Sequence, residues 1–453
     1  MITERTRALV RDYNPWWENL PVNLPEYRRR IFADIKKYLE TKQIIAIVGL
    51  RRVGKTVLMK QIITDCINSG SKNVFYFMFD DLLAQSPEVL DDVINYYLKT
   101  ISTEGKKYVF LDEIQKVPNW QDILKRFYDT RDDIKFIISG SSSLQIKKSK
   151  ESLAGRMYDF YLPVLTFGEF LEMSGFKLAE TEPDFDGLWQ VYESNINKKP
   201  IIEHLFLQYI LKGAFPELVK ETDMDIIRSY IKSSVLEKII YEDIPEVFNI
   251  KRKDVLYAVL EYCAKETSNL LDVTKIGNVL NVNYQTVKSY LFYLENSFLI
   301  DILYNHSKSI SKQLRKNKKV HVVHPSITIT MMHYPAGILD VIEVVSKYVE
   351  TIVFQHSKLI CERTSFLRTP HKEEIDVILE GDVMIPIEVK YKSNLDSHDL
   401  KTLLKFLNKF KLKRGIVVTK DVFERKEING MEILFIPAWL FLLCKNHENF
   451  AFS

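Results

Sequence analysis

The sequence predicts an α/β protein of several domains, and three observations support this prediction. A glycine-rich loop at residues 49–56 lies between a short apolar run and a stretch with helical spacing. From about residue 167 to 265, leucine, isoleucine and tyrosine recur at helical spacing, which predicts a mainly helical region. Beyond residue 360, short apolar runs alternate with turns. At 453 residues the chain is too long for one core, so we expect about three domains.

The composition excludes both a uniformly basic protein and a disulfide-rich one. The net charge is +3, with 46% hydrophobic and 27% charged residues, so any nucleic-acid surface must be a local patch. The four cysteines form no Cys-x-x-Cys pair, which argues against a zinc site and fits a reducing compartment. The N-terminus lacks the apolar core of a signal peptide, and the most apolar run, 433–444, is too short to span a bilayer. We therefore expect a cytoplasmic protein with no membrane segment, and we interpret that run as a buried strand leading into a helix.

The segment QIIAIVGLRRVGKTVLMKQII predicts a phosphate-binding loop for ATP. It places G-x-x-x-x-G-K-T between an apolar strand and a helix, which is the setting this motif requires. Glycines let the backbone amides face phosphates, and the helix N-terminus adds a favourable dipole. Lys55 should reach the β- and γ-phosphates, and Thr56 should ligate Mg²⁺. A chance match in a strand–helix unit is the alternative. The predicted ATP-binding residues are Gly49, Leu50, Arg51, Arg52, Val53, Gly54, Lys55, Thr56 and Val57.

A second motif, YVFLDE, makes the chance match less favoured. The apolar strand ends in Asp112 and Glu113, where a parallel α/β sheet opens its ligand crevice. We expect Asp112 to hold the Mg²⁺ shell and Glu113 to orient and polarise the attacking water. The alternative is a solvated acidic turn after the strand.

A third polar group follows the next predicted strand, IKFIISG. Ser139 ends this strand beside the expected γ-phosphate and is a candidate sensor of hydrolysis, followed by Ser141 and Ser142. Serine is also an ordinary loop residue, which is the alternative. Strands at 73–81 and 157–165 would complete a five-stranded sheet.

Three arginines are candidates for contacts with transferred charge or with a neighbouring copy of the chain. Arg51 and Arg52 lie inside the phosphate-binding loop, and their alternative is pairing with a local carboxylate such as Asp80 or Asp81. Arg156 follows a short predicted helix and precedes a strand. It is a candidate sensor or trans-acting arginine, although Gly155 before it equally indicates a helix C-terminus.

The stretch after residue 270 predicts a DNA-binding winged helix at 266–330. Residues 273–280 and 284–295 have helix patterns, separated by a turn at 281–283. The segment 308–319 then carries six cations and no acid, which predicts a basic wing that neutralises phosphates. These cations are Lys308, Lys312, Arg315, Lys316, Lys318 and Lys319. A packing module with a solvated charged face is the alternative.

Taken together, these segments resemble prokaryotic AAA-superfamily P-loop ATPases with a C-terminal domain of unassigned function. The resemblance rests on GLRRVGKT, FLDEIQKVPNW, SGSSSLQI, ESLAGR, LPVLTFGEFLE, GAFPELV, YEDIPEVF, YLENSFLI and IPIEVKYKS. It implies an ATPase core at 1–166, a helical lid and linker at 167–265, the winged helix at 266–330, and a restriction-endonuclease-like domain of the PD-(D/E)XK type at 331–453.

The resemblance also implies a nuclease-like site near the end of the chain. Glu350 falls on a predicted helix, Asp376 on a strand, and Glu388 and Lys390 on the next strand. Asp376 and Glu388 would bind one Mg²⁺, whose charge offsets a scissile phosphate. Lys390 shares a strand face with Glu388 and would position the water or stabilise the pentavalent phosphate, while Glu350 would orient Lys390 or complete the metal shell. The alternatives are an ordinary amphipathic strand and a domain that binds without cleaving.

Two functions of different classes follow from the sequence. The first is ATP-dependent action on DNA, with a Mg²⁺-dependent nuclease gated by ATP. The second is an ATP-driven signalling or assembly switch whose C-terminal domain only binds protein or nucleic acid. The basic segment favours the first, and the balanced total charge favours the second.

Overall fold

The computed structural model describes residues 2–81, 84–141, 153–179, 181, 185–307 and 309–445. The candidate residues Ser142 and Lys308 lie outside these ranges. The chain forms two compact units. Unit 1 comprises Met1–Pro163, Tyr241–Asn249 and Asn296–Phe298, and unit 2 comprises Val164–Ile240, Ile250–Glu295 and Leu299–Ser453.

Unit 1 is an α/β layer structure built on one sheet. Its described elements are α1 (Glu4–Asp12), α2 (Ile31–Lys37), β1 (Ile44–Val48), α3 (Lys55–Asn68), β2 (Val74–Met78), α4 (Pro87–Tyr96), β3 (Lys107–Asp112), α5 (Trp120–Thr130), β4 (Ile134–Gly140), β5 (Met157–Tyr161) and, from the later segment, α10 (Ile244–Val247). Short 3₁₀ or π turns lie at Pro15–Glu18, Tyr97–Ile101 and Ile114–Lys116, and the π turn Ile239–Asp243 runs into α10.

The five described strands of unit 1 are parallel, in the order β2-β3-β4-β1-β5. The inner strands β1, β3 and β4 are almost wholly buried apolar runs, as expected for a parallel sheet covered on both faces. Val48 pairs with Gly140 and Tyr161, and Met78 pairs with Asp112, so the strands end together at one edge. The sequence prediction of a five-stranded sheet is confirmed, and its carboxyl edge gathers the P-loop, Asp112 and Ser139.

Unit 2 begins with a helical part, which agrees with the predicted helical region. Its helices are α6 (Phe167–Met173), α7 (Phe185–Ser194), α8 (Lys199–Lys212), α9 (Met224–Ser229), α11 (Lys253–Lys265), α12 (Val273–Leu280) and α13 (Tyr284–Asn296), with 3₁₀ or π turns at Ile196–Lys198, Pro216–Leu218 and Tyr230–Leu236. The helix–turn–helix predicted at 273–295 is present as α12 and α13.

A two-stranded antiparallel sheet follows the helix–turn–helix. It pairs β6 (Ile300–Tyr304) with β7 (Lys318–Val322) and encloses the helix α14 (Ile310–Arg315). The predicted basic wing is therefore a helix and a strand. Because side chains alternate along a strand, β7 turns Lys319 inward, where its side chain is 1% exposed. The prediction of Lys319 as a surface contact for DNA is wrong.

The last part of unit 2 is a mixed six-stranded sheet in the order β12-β13-β11-β10-β9-β8. Its elements are α15 (Pro325–Met331), a 3₁₀ turn (Ala336–Asp340), α16 (Ile342–Ile360), β8 (Thr364–Arg368), β9 (Glu374–Glu380), β10 (Met384–Lys390), α17 (Ser397–Phe410), β11 (Arg414–Thr419), β12 (Glu424–Ile428), β13 (Met431–Pro437) and α18 (Ala438–Phe441). The apolar run 433–444 is a buried strand leading into a helix, as predicted. Within the described residues, no helix is long and apolar enough to cross a membrane.

Candidate functional site

The loop between β1 and α3 has the backbone shape that its glycines permit. Gly54 has φ of 99° and Arg52 has φ of 68°, both in the left-handed region. A Cβ atom at Gly49 would collide with the carbonyl oxygen of Leu162. These positions explain why the first and last loop residues before Lys55 are glycines.

Lys55 starts α3 and is buried inside the loop. Its Nζ donates to the carbonyl oxygens of Gly49 and Leu50, each at 3.0 Å. Burial lowers the pKa of Lys55, against the opposing charges of Glu113 and Asp112. The ammonium is thus held by neutral carbonyls, and a phosphate oxygen offers it a stronger, charge-assisted bond.

Thr56 and Asp112, the two predicted Mg²⁺ residues, lie in direct contact. The Thr56 hydroxyl donates to Asp112 Oδ2 at 2.7 Å, and the Tyr76 hydroxyl donates to the same oxygen at 2.8 Å. The Ser139 hydroxyl donates to Asp112 Oδ1. Asp112 is fully buried, and these hydroxyl donors supply hydrogen bonds to both of its oxygens. The pairing of Thr56 with Asp112 is an oxygen set suited to Mg²⁺.

Glu113 is turned out of the strand by a left-handed backbone, with φ of 54°. Its backbone N–H donates to the Ser139 hydroxyl at 3.2 Å, and its Oε2 accepts from Gln115 Nε2 at 2.5 Å. Burial raises the pKa of Glu113, with Lys55 opposing that rise. A carboxylate with a raised pKa is suited to take a proton from water. Gln115, which lies two residues after Glu113, was not predicted from the sequence to belong to this site.

Arg51 meets a carboxylate from a distant part of the sequence. Its Nη1 lies 2.7 Å from Asp243 Oδ1, in the segment of unit 1 formed by Tyr241–Asn249. Of the two carboxylates named from the sequence, Asp80 pairs with Lys116 and Asp81 with Arg5. Asp243 was missed because nothing local marks it. The only signal was its place in YEDIPEVF, a segment that carried the family resemblance.

Arg156 does not join this site within one chain. Its guanidinium pairs with Asp129 at 2.9 Å, and its carbonyl accepts from the N–H of Ile44, where β1 begins. It therefore lies at the amino edge of the sheet, and the P-loop lies at the carboxyl edge. A role for Arg156 toward another copy of the chain, and the assembly that this role requires, stay predictions.

In unit 2 the predicted nuclease residues lie around a buried lysine. Lys319 Nζ is 2.8 Å from Glu350 Oε1, 2.5 Å from Glu374 Oε1 and 3.5 Å from Asp376 Oδ1. Although burial lowers the pKa of Lys319, the charges of Glu350, Asp376 and Glu374 raise it above its ordinary value. Lys319 therefore remains charged throughout the neutral range. Neither Lys319 nor Glu374 was predicted from the sequence to belong to this site.

The remaining oxygens of this site are also engaged by the chain itself. Asp376 Oδ2 accepts from the N–H of Val389 at 2.9 Å, and Glu388 Oε1 lies 2.5 Å from Lys390 Nζ. Glu388 Oε2 is buried and has no hydrogen-bond partner among the described residues. Burial raises the pKa of Glu388 to about 8 and that of Glu350 to about 7.

Burial is the main cause of these raised pKa values, and neighbouring carboxylates add to it. Four carboxylates face three cations in what we call the carboxylate–lysine cluster. Its members are Glu350, Glu374, Asp376, Glu388, Lys319, Lys390 and Arg368, which pairs with Glu374. The excess negative charge is buried, so taking up one proton near neutral pH is favourable. Within the described part of the chain, no group of three or more His, Cys, Asp or Glu residues is arranged to hold a metal ion.

Comparison with known families gives a described domain type for most of unit 1, but only domains of unknown function for unit 2. Residues 41–171 match a family described as an AAA domain. The P-loop and the parallel five-stranded sheet of unit 1 agree with an AAA-type ATPase core. Residues 203–337 and 346–439 match two families described as domains of unknown function, DUF8612 and DUF4143.

Individual relatives are similar to this chain over most of its length, and they are described as uncharacterized proteins. An uncharacterized protein of Methanocaldococcus jannaschii is 26% identical over 431 residues, which is 90% of this chain and 87% of that protein. A second uncharacterized protein of that organism is 31% identical over 287 residues, 61% of this chain and 60% of its own length. The solved structure of RuvB from Thermotoga maritima has a TM-score of 0.29 and 14% identity, covering 63% of this chain and 91% of RuvB.

Proposed function

We propose that unit 1 binds and hydrolyses ATP with Mg²⁺. The contact between Thr56 and Asp112 is the observation that carries this proposal, because the two residues expected to hold the ion are already 2.7 Å apart. Bound Mg²⁺ would neutralise charge on the β- and γ-phosphates. Lys55 binds the phosphate oxygens in place of the loop carbonyls that now accept from it. Glu113 takes the proton of the attacking water, and Ser139 holds Asp112 and the Glu113 backbone in register.

Two substitutions separate binding from hydrolysis. Lys55→Ala removes the phosphate-binding ammonium, so we expect ATP affinity to be lost. Glu113→Gln keeps the side-chain shape and removes the base, so we expect ATP binding with turnover lower by about 10²–10⁴-fold. Equilibrium nucleotide binding and steady-state phosphate release test the two. Wild-type affinity in Lys55→Ala, or wild-type turnover in Glu113→Gln, would reject the assignment of these residues.

We further propose that unit 2 binds DNA through a basic surface formed by α13, α14 and β7. Lys288 on α13 and Lys312 and Arg315 on α14 are exposed. Burial and, after it, the charge of Lys288 lower the pKa of Lys318, so the positive charges of α13 and β7 repel each other. A phosphate between them relieves this repulsion. Lys318 also donates to the carbonyl of Leu314, so part of its role is to stabilise the C-terminal end of α14.

Charge reversal on this surface tests the DNA proposal. We expect the triple variant Lys288→Glu, Lys312→Glu, Arg315→Glu to bind duplex DNA more weakly. The slope of log affinity against log salt concentration should flatten by about 1 for each phosphate that the variant no longer neutralises. A matched control reverses the same charge at Lys420, Arg425 and Lys426, which are exposed at the end of β11 and on β12. Equal affinities of the triple variant and the wild type across a salt titration would return these residues to a solvated face.

For the domain that carries the carboxylate–lysine cluster we propose binding without metal-dependent cleavage, which is one feature of the second function expected from the sequence. Asp376 engages Lys319 with one oxygen and the Val389 N–H with the other, and Glu388 engages Lys390 with one oxygen. This arrangement does not fit a divalent ion at Asp376 and Glu388. The hypothesis of an ATP-gated nuclease therefore requires Lys319 to leave the cluster. An ATPase that acts on DNA by binding it agrees better with these contacts.

A further inference from the structure

A chain of hydrogen bonds links the P-loop to the hydrolytic carboxylate through residues outside both motifs. Arg51 donates to Asp243 Oδ1 at 2.7 Å, and the Ser141 hydroxyl donates to Asp243 Oδ2 at 3.4 Å. Gln115 Nε2 lies between the far members, 3.2 Å from Ser141 Oγ and 2.5 Å from Glu113 Oε2. The five residues form one path, and each bond in such a path depends on its neighbours.

Asp243 is the member whose charge depends most on Arg51. Its side chain is 10% exposed. Burial raises the pKa of Asp243, while Arg51 and, more weakly, Lys55 and Lys116 oppose that rise. A buried carboxylate that loses its charge partner is strongly unfavourable. Any group that draws Arg51 away must therefore change how Asp243 is satisfied.

The terminal phosphate of ATP is a group of the chemistry that draws Arg51 away. Arg51 lies in the phosphate-binding loop, and guanidinium groups bind phosphate oxygens through paired, charge-assisted hydrogen bonds. Asp243 and the phosphate compete for the same cation. ADP lacks the terminal phosphate, so this competition distinguishes the two nucleotides at a site that otherwise binds both.

Glu113 lies at the other end of the path. The Gln115 amide holds its Oε2 at 2.5 Å, so that oxygen is committed to a donor and is less able to accept a proton from water. The Gln115 amide also bonds Ser141, which in turn bonds Asp243. A change at Asp243 is thereby passed to the group that restrains the base.

We propose that Asp243 is a positioning residue that competes with the terminal phosphate of ATP for Arg51. When Arg51 leaves Asp243, the change passes through Ser141 to Gln115, and Gln115 then releases Glu113 for hydrolysis. The inference rests on the proposed ATPase function and adds the means by which the site distinguishes ATP from ADP. Asp243 lies in Tyr241–Asn249, and the chain on both sides of this segment, at Ile240 and Ile250, belongs to unit 2. The residue that responds to ATP therefore lies in a segment whose two ends continue into unit 2.

The test measures affinities for ATP and ADP in the full chain with Mg²⁺ present. Asp243→Asn removes the competing charge with little change of shape, so ATP binding should strengthen relative to ADP by roughly 5- to 150-fold. Arg51→Gln should lower the same ratio. In the Arg51→Gln background, Asp243→Asn should have no further effect on it. Asp129→Asn breaks a comparable arginine pair with Arg156 at the opposite sheet edge and should leave the ratio unchanged.

Each alternative outcome has a separate meaning. If Asp243→Asn changes ATP and ADP affinity equally, the role of Asp243 is only structural. If Asp243→Asn lowers turnover strongly, Asp243 takes part in the chemical step. Either result overturns the proposal. Gln115→Met should raise turnover at saturating ATP with little change in affinity, and a fall would overturn the link to Glu113. Wild-type protein that fails to bind ATP rejects the proposed function itself. Wild-type protein that binds ATP, with an unchanged ratio in Asp243→Asn, rejects only this inference.

Discussion

Two buried lysines, Lys55 in unit 1 and Lys319 in unit 2, sit among carboxylates but are held in opposite ways. Lys55 donates to the neutral carbonyls of Gly49 and Leu50. Lys319 meets three carboxylates within 3.5 Å. Burial lowers the pKa of the first, whereas the surrounding charges raise the pKa of the second above its ordinary value.

The difference shows which site is arranged for an external anion. A lysine bonded only to carbonyls gains a stronger partner when a phosphate arrives. A lysine that already neutralises carboxylates gains nothing from a phosphate, and it holds those carboxylates away from a metal ion. A motif of acids and lysine is therefore insufficient to indicate metal chemistry. What matters is whether a cation of the chain itself completes the set.

The largest expected effect comes from removing the two lysines in turn. Lys319→Met leaves the carboxylates of unit 2 without their central cation, which should cost about 3–5 kcal/mol of unfolding free energy. Lys55→Met loses two bonds to neutral carbonyls and removes a poorly solvated charge, so it should cost only about 1 kcal/mol. Scanning calorimetry without nucleotide measures both, and each variant should shift a different transition. Equal costs at the two positions would contradict the comparison.

Hydrogen exchange gives a second measurement if Lys319→Met unfolds too readily for calorimetry. The N–H of Val389 is bonded to Asp376, so amides in 374–390 should lose protection in Lys319→Met while those of β1 and β3 keep theirs. Lys426→Met, which removes an exposed lysine of the same unit, is the matched control.

Metal binding sharpens the comparison further. Without Lys319, the cluster carries four carboxylates against Lys390 and Arg368, an excess that a divalent ion would balance. We expect calorimetric titration with Mn²⁺ to find one more site in Lys319→Met than in wild type. Adding Asp376→Asn should abolish it. Uptake of Mn²⁺ by the wild type that depends on Asp376 would instead restore the nuclease hypothesis.

Local patterns predicted the strands, the P-loop and the helices of the helix–turn–helix, because each depends on neighbouring residues and its own spacing. The same spacing could not place Asp243 beside Arg51, which are 192 positions apart. Residue spacing also could not show that the side chain of Lys319, although part of the basic segment, lies beside Glu350 and Asp376. Charge in a segment indicates a surface only if every side chain points outward, and β7 breaks that condition.

The last expected effect is a pH dependence of the stability of unit 2. The raised pKa of Glu388, about 8, means that the folded chain binds a proton which the unfolded chain releases above its ordinary pKa of 4.5. Stability should therefore fall as pH rises between these values, by about 1.4 kcal/mol for each pH unit at most.

Glu388→Gln should flatten that slope, because it leaves three carboxylates facing three cations and removes the need for an added proton. The variant should resemble wild type at about pH 5 and exceed it in stability at about pH 8.5, measured as the calorimetric transition that Lys319→Met shifts. Glu427→Gln removes an exposed carboxylate of the same sheet and should keep the wild-type slope. A wild-type slope in Glu388→Gln would mean that the proton belongs to another group. The charge balance assigned to the carboxylate–lysine cluster would then be wrong, and so would the contrast with the site of Lys55.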